Sequence, residues 1–286
     1  MALIRPGLLH LLIGFGLGAQ VPSPAAAPAA RYDRHVHRLK RSLPPGFTML
    51  VEAPFVIIGD GPEEELRRTA THTVRWAIDH LKRRYFQKDP ARILDIWLFR
   101  GQASYQRNTR RIFGEDPISL YGYYAPEKGA LIMNIQTGAG TLVHEIVHPF
   151  MEANFPHCPP WFNEGLGSLY EACSEREGVI VGTLNWRLKG LQQAIRKGPL
   201  PTFEVLMGLD DDGFYQRDSG RNYAQARYLC YYLQEKGLLQ EYYRAFCHDA
   251  KVDPSGVRTL KRLLKEDDLE AFQKHWQGYV LGLKLP

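Results

Sequence analysis

The run His144-Glu-Ile-Val-His148 sets two imidazoles four residues apart, with a carboxylate directly after the first. On an α-helix, positions i and i+4 share a face about one turn apart, so both rings can reach one divalent ion. Zn²⁺, with bonds of about 2.0–2.1 Å to imidazole nitrogen and a tetrahedral preference, suits such a pair. Glu145 is rotated about 100° from His144 around the helix axis, which aims its carboxylate at a water beside the ion. The chemistry that follows is metal-assisted hydrolysis with Glu145 as general base and then general acid. The competing explanation is two core histidines and a surface glutamate, and a third ligand is what separates the two.

Counting narrows that ligand. An elongated motif ending in a third histidine needs Gly at 151 and His at 154, but the chain has Met151 and Asn154, and His157 is misplaced for it. A glutamate on a following helix remains. Trp161-Phe-Asn-Glu-Gly-Leu-Gly-Ser-Leu-Tyr-Glu171 supplies Glu164, just past a Pro159-Pro160 break that lets the chain reverse. Glu152, beyond Pro149 on the first helix, and Glu171, about two turns past Glu164, are weaker rivals. Pro149 removes a donor to the Glu145 carbonyl and is expected to kink or end its helix, after both imidazoles are in place.

At these residues the chain resembles the gluzincin metallopeptidases, a group that includes thermolysin-like enzymes and the zinc aminopeptidases. The likeness rests on the His-Glu-x-x-His of 144–148 together with the Asn-Glu-Gly of 163–165. It implies a zincin-like fold, Zn²⁺ held by His144, His148 and Glu164, catalysis by Glu145, and a peptide or protein substrate. The run Arg221 to Leu233 looks like the aminopeptidase helix that offers a tyrosine hydroxyl to the reacting carbonyl, with Tyr223 at the matching position and Tyr228 in reserve. Hydrolysis builds an oxyanion, and a second electrophile opposite the metal meets that need.

Departures from the family are also legible. Ser168 stands where thermolysin-like enzymes carry an Asp that orients the first histidine, leaving Ser168, Asn163, a water or another carboxylate for that task. No Gly-Ala-Met-Glu-Asn segment is present to bind a free amine, which favours an endopeptidase. In related folds an edge strand pairs with extended substrate, and Gly129–Asn134, the strand before the metal helix, is the candidate. Two other classes keep the same ligands: a catalytically inactive zinc-binding or scaffold protein of this fold, and a zinc hydrolase of a non-peptide amide. An open coordination position distinguishes the catalytic class from a structural site closed by four protein ligands.

The elements that must position these residues follow from periodicity. Over residues 47–140 strand-like and helix-like segments alternate: strands at 55–59, 93–99, 120–124 and 129–134, helices at 62–85 and 104–113. Over residues 141–286 helical periodicity dominates, at 141–153, 162–174, 186–196, 221–236, 238–248 and 268–282. The expected fold class is α+β, a small mixed N-terminal β-sheet with helices packed on a mostly α-helical C-terminal half that carries the zinc site. Leu269, Phe272, Trp276 and Val280 mark the buried side of the last helix.

Composition excludes several classes. The 286 residues are 44% hydrophobic and 23% charged, which rules out collagen-like and disordered chains and leaves room for a packed core. Formal charge is +5, or +4 without Arg5 of the leader, and the cations are spread among 31 acids, so no nucleic-acid stripe is expected. Residues 1–30, with Arg5, an apolar run from Leu8 to Ala19 and a small-residue stretch, read as a signal peptide for a secreted or periplasmic protein with no stable membrane insertion after its removal. The basic residues 31–46 read as a solvated linker, with 31–41 either linker or propeptide. In an oxidising compartment short loops favour disulfides Cys158–Cys173 and Cys230–Cys247, the alternative being four reduced thiols.

Overall fold

The computed structural model of the chain describes residues 26–285, so most of the expected leader lies outside the described residues. Helix α1 (Ala26–Ser42) precedes strands β1 (Thr48–Glu52) and β2 (Phe55–Gly59). A helical run follows as α2 (Glu63–Thr69), a π-helical turn (Ala70–Arg75) and α3 (Trp76–Arg84). Strand β3 (Leu94–Phe99), helix α4 (Gln102–Phe113) and strands β4 (Gly122–Ala125) and β5 (Ala130–Asn134) complete the first half. The second half comprises α5 (Gly140–Asn154), α6 (Pro160–Tyr170), a hairpin of β6 (Cys173–Arg176) and β7 (Val179–Gly182), then α7 (Arg187–Lys197), α8 (Phe203–Met207), α9 (Asp211–Gln216), α10 (Ser219–Glu235), α11 (Leu239–Asp249), α12 (Val257–Leu264) and α13 (Leu269–Gly282). The fold is α+β, helices packed on a mixed sheet.

The sheet has the order β1-β2-β3-β5-β4, parallel through its three central strands and antiparallel at both edges. Its side chains alternate between two apolar layers because successive residues of a strand face opposite ways. Phe55, Ile57, Ile96, Leu98, Leu131 and Met133 face one core, shared with α3, α5, α6 and α10. Val56, Ile58, Trp97, Phe99 and Ile132 face a second core on the back, closed by α4 and α1. Parallel strands covered on both faces read as continuous apolar runs, as Phe55-Val-Ile-Ile does.

Four expectations change. Residues 31–46 are largely helix rather than solvated linker: Tyr32, Val36 and Leu39 lie along one stripe of α1 and pack on the back of the sheet, and His35 Nε2 meets Asp95 Oδ1 at 2.7 Å. The charge run hid an apolar stripe that a sheet could cover. The helix expected at 162–174 stops at Tyr170, and a hairpin occupies Cys173–Gly182, turned at Glu177-Gly178, both with positive φ.

Helix α5 continues through Pro149 to Asn154. The cost of roughly 3 kcal/mol for an internal proline is offset beyond it: Phe150 and Met151 are buried, and Phe150 stacks on Phe86 at 5.6 Å. Burying each such side chain contributes about 1.5–3 kcal/mol. All four cysteines are free thiols. Cys158 and Cys173 flank opposite ends of α6, whose 11 residues span about 16 Å, too far for a bond that needs Cα atoms within about 7 Å. Cys230 faces Gly165 across the α6–α10 contact, and a pairing with Cys247 is not made.

Candidate metal centre

Two helices build the site. Helix α5 buries Leu142, Val143, Ile146, Val147 and Phe150 and turns His144, Glu145 and His148 toward a cleft. Helix α6 starts at the Pro159-Pro160 break, is anchored by buried Trp161 and Phe162, and brings Asn163 and Glu164 against α5. Trp161 Nε1 donates to the Ser255 carbonyl at 2.9 Å, fixing the start of α6. The close approach of the helices depends on Gly167, where a Cβ would sit 3.1 Å from His144 ring atoms.

The three groups converge. Glu164 Oε2 lies 3.1 Å from His144 Nε2 and 3.9 Å from His148 Nε2. Ligand atoms about 3.3 Å apart would subtend a tetrahedral ion with bonds near 2.0–2.1 Å, and the two distances bracket that spacing. His144 and Glu164 are 7% and 5% exposed, so water competes little for them. The donor set, two neutral-capable imidazoles and one carboxylate, fits Zn²⁺.

Glu145 also lies close, its ligand atom within 4.8 Å of those of both histidines. Its Oε2 lies 3.8 Å from His148 Nε2 and accepts the Tyr124 backbone N–H at 3.0 Å. Glu145 thus has one oxygen engaged by the backbone, whereas Glu164 Oε2 is placed against both imidazoles. The rivals are engaged elsewhere: Glu152 Oε2 accepts from the Tyr124 hydroxyl at 2.9 Å, and Glu171 pairs with Arg187 at 3.2 Å.

Orientation comes from Asn163, whose Oδ1 lies 3.0 Å from His148 Nδ1. Ser168 takes no such role; its hydroxyl is buried without a hydrogen-bond partner among the described residues. Glu164 is held on its other oxygen, where the Tyr215 hydroxyl donates to Oε1 at 2.7 Å. Sequence reading missed Tyr215, which belongs to a six-residue helix with no periodic signature. Tyr223 lines the cleft beside it, the two rings 6.3 Å apart, whereas Tyr228 is fully buried with its hydroxyl on the Asn185 carbonyl at 3.3 Å, away from the cleft.

The electrostatics follow from burial and pairing. Burial alone would depress His144, but the Glu164 hydrogen bond and the Glu145 charge raise it from 6.5 to about 9. Burial would raise Glu164, yet His148, His144 and the Tyr215 hydrogen bond bring it down to about 2. Glu145 is pushed up by burial, with both imidazoles opposing. Burial and the Glu164 charge push the Tyr223 hydroxyl well above its ordinary value, keeping it a donor.

The cleft is a cavity of about 1140 Å³. One wall is β4, which is the sheet edge; β5, expected at the edge, pairs on both sides instead. Tyr124 turns its N–H away from β5, and in an antiparallel pair its carbonyl points the same way. Exposed Ile118 and Tyr121 form one lip and Trp186, 66% exposed, the other. Known protein families provide no match to this chain, and no curated protein matches it.

Proposed function

We propose that this chain is a zinc-dependent metallopeptidase of the gluzincin kind, an endopeptidase acting on extended polypeptide in an extracytoplasmic compartment. The observation that carries the proposal is the approach of two imidazoles, one helical turn apart, to a single oxygen of a glutamate from the next helix. The cleft adds support, because it joins apolar lips and the β4 edge, whose Tyr124 N–H is taken by Glu145 and whose carbonyl is left to a substrate, to that cluster, and extended chains bind strand edges through backbone hydrogen bonds.

His144, His148 and Glu164 would hold the ion. Bound Zn²⁺ polarises a carbonyl and lowers the pKa of water toward about 7. Asn163 fixes the ring of His148, and Tyr215 fixes Glu164 so that Oε2 faces the imidazoles. Glu145, tethered at Oε2 by the Tyr124 N–H, takes the proton of the attacking water on Oε1 and returns it to the leaving amine nitrogen. Tyr223, kept protonated, donates its hydroxyl proton as a hydrogen bond to the oxyanion. The β4 carbonyl that faces the cleft accepts from the substrate backbone.

The test is incubation of the zinc-loaded chain with a mixed peptide library read by mass spectrometry, with and without a chelator. Internal cleavage should stop with chelation and return with zinc. Glu145→Gln should retain zinc and lose about 10²–10⁴-fold in turnover, the usual scale of a positioned acid-base group. Wild-type cleavage by Glu145→Gln would falsify the assignment.

A further inference from the structure

Beyond the cleft lies a second cavity of about 640 Å³, joined to the first through Trp186, Arg187 and Gly220, which line both. The dividing wall is a stack: the Arg187 guanidinium lies 4.2 Å from the Trp186 ring and 5.3 Å from the Tyr223 ring. The floor is apolar, with Leu191, Ala194 and Ala224, and a Cβ at Gly190 or Gly220 would meet nothing within 4 Å. The rim carries Arg187, Lys197 and Arg221 against one acid, Asp218. Asp218 pairs with Arg221 at 2.8 Å and Arg187 with Glu171, while Lys197 has no ion-pair partner among the described residues. Helix α7 also carries Lys189 and Arg196, outside the cavity lining, and has no acid. The first cavity is lined by Glu145, Glu152, Glu164 and Glu171 beside His144, His148 and the shared Arg187, whereas the second holds Arg187, Lys197 and Arg221 against Asp218 alone.

We infer that the second cavity is an extended substrate subsite. It takes an apolar side chain flanked by carboxylates on the same polypeptide that lies in the cleft. The inference rests on the metallopeptidase reading for the identity of the occupant. Continuity of the two cavities sets where the chain goes, and the unpaired cation on the rim sets its charge. Trp186 stands at the crossing, two-thirds exposed, and reports on passage.

The probes are octapeptides with a common Ala-Leu-Tyr centre and three residues at one end, either Asp-Leu-Glu or Asn-Leu-Gln, made in both polarities. Cleavage is followed as kcat/KM on the zinc-loaded chain. Binding is followed by tryptophan fluorescence on Glu145→Gln, with Trp186→Phe identifying the reporter. In one polarity the acid-tailed peptide should be bound and cleaved roughly five- to tenfold better than its amide twin, the scale of a few partly screened charge pairs, and salt should reduce the ratio. Lys197→Glu should remove or invert the preference, and Gly190→Phe should weaken binding of the tailed peptides by filling the floor.

A ratio near one in both polarities, or a preference that survives both substitutions, overturns the subsite. Cleavage without preference would leave the hydrolase standing and the subsite refuted. Charge-selective binding without any cleavage would do the opposite.

Discussion

Glu164 illustrates how much depends on one carboxylate having two different oxygens. Oε2 faces both imidazoles and Oε1 is tied to Tyr215, so loss of the tyrosine hydroxyl frees the group to rotate. Tyr215→Phe should therefore weaken zinc binding about 10- to 100-fold, as loss of an orienting partner usually does, in a competition titration with a chromogenic chelator. In the proposed reaction Tyr223→Phe should lower kcat and weaken zinc binding less than Tyr215→Phe does, because its hydroxyl would serve the oxyanion. Equal loss of zinc in both variants would remove the distinction. His144 is raised from 6.5 to about 9, so its contribution to the metal-free fold is complete below 6.5 and is lost as pH rises through 9. Glu164, lowered from 4.5 to about 2, contributes above 4.5 and loses that contribution as pH falls through 2. The metal-free pair thus stabilises most between 4.5 and 6.5, and zinc must displace the His144 proton below 9. Zinc affinity should rise between pH 6 and 8 with proton release, measured calorimetrically in buffers of different ionisation enthalpy. A pH-independent affinity would mean that His144 enters the site already neutral. Of these residues the His-Glu-x-x-His pair was legible because local helical spacing sets its geometry, and Glu164 was reached by eliminating rivals and by the resemblance, since only the packing of α6 on α5 brings it there. Tyr215 and Tyr124 were not, since they reach the site only after distant segments pack.

At the scale of elements, the site is the crossing of α5 and α6, and glycines set its tightness. A Cβ at Gly140 would come within 2.1 Å of the Glu171 carbonyl oxygen, a backbone atom that cannot swing aside. Gly140→Ala should push the N-terminus of α5 away from the end of α6 and cost about 1–3 kcal/mol, the usual range for overpacking. The exposed Gly278 of α13 has nothing within 4 Å of its Cβ position, so Gly278→Ala should instead gain about 0.5–1 kcal/mol from helix propensity. Opposite shifts in thermal midpoint are expected, and a neutral Gly140→Ala would show that the crossing is slack. The long helices and central strands were readable because each carries one strong period. The hairpin at Cys173–Gly182 was not, because α6 and β6 join with only Glu171 and Ala172 between them and β6, Cys-Ser-Glu-Arg, is polar and largely exposed and carries no strand-like apolar alternation. Pro149 misled for a related reason: its local penalty is visible in sequence, while Phe86, which rewards continuing the helix, lies more than sixty residues earlier.

Across the whole molecule the sheet separates chemistry from scaffold. The His144, Glu145, His148 and Glu164 cluster and both cavities lie on the side of α5 and α6, whereas α1 covers the back, and among the described residues none of α1 lines either cavity. The basic stretch 31–41 therefore has a physical task that its charge concealed, shielding Val56, Ile58, Trp97 and Phe99 through Tyr32, Val36 and Leu39. His35 and Asp95, each 13% exposed, pin it in register. A chain beginning after Ser42 should expose that apolar face. Three partly buried side chains at about 1 kcal/mol each, below the 1.5–3 of full burial, give a loss near 3 kcal/mol, or roughly 6–12 °C in thermal midpoint for a chain of this size. The truncated protein should bind a hydrophobic dye and self-associate, yet keep whatever zinc affinity the full chain has, because α5 and α6 touch the opposite core. Peptide cleavage per folded molecule should not rise. A gain in activity on truncation would mean that the segment blocks the cleft as a propeptide does, which its position behind the sheet opposes.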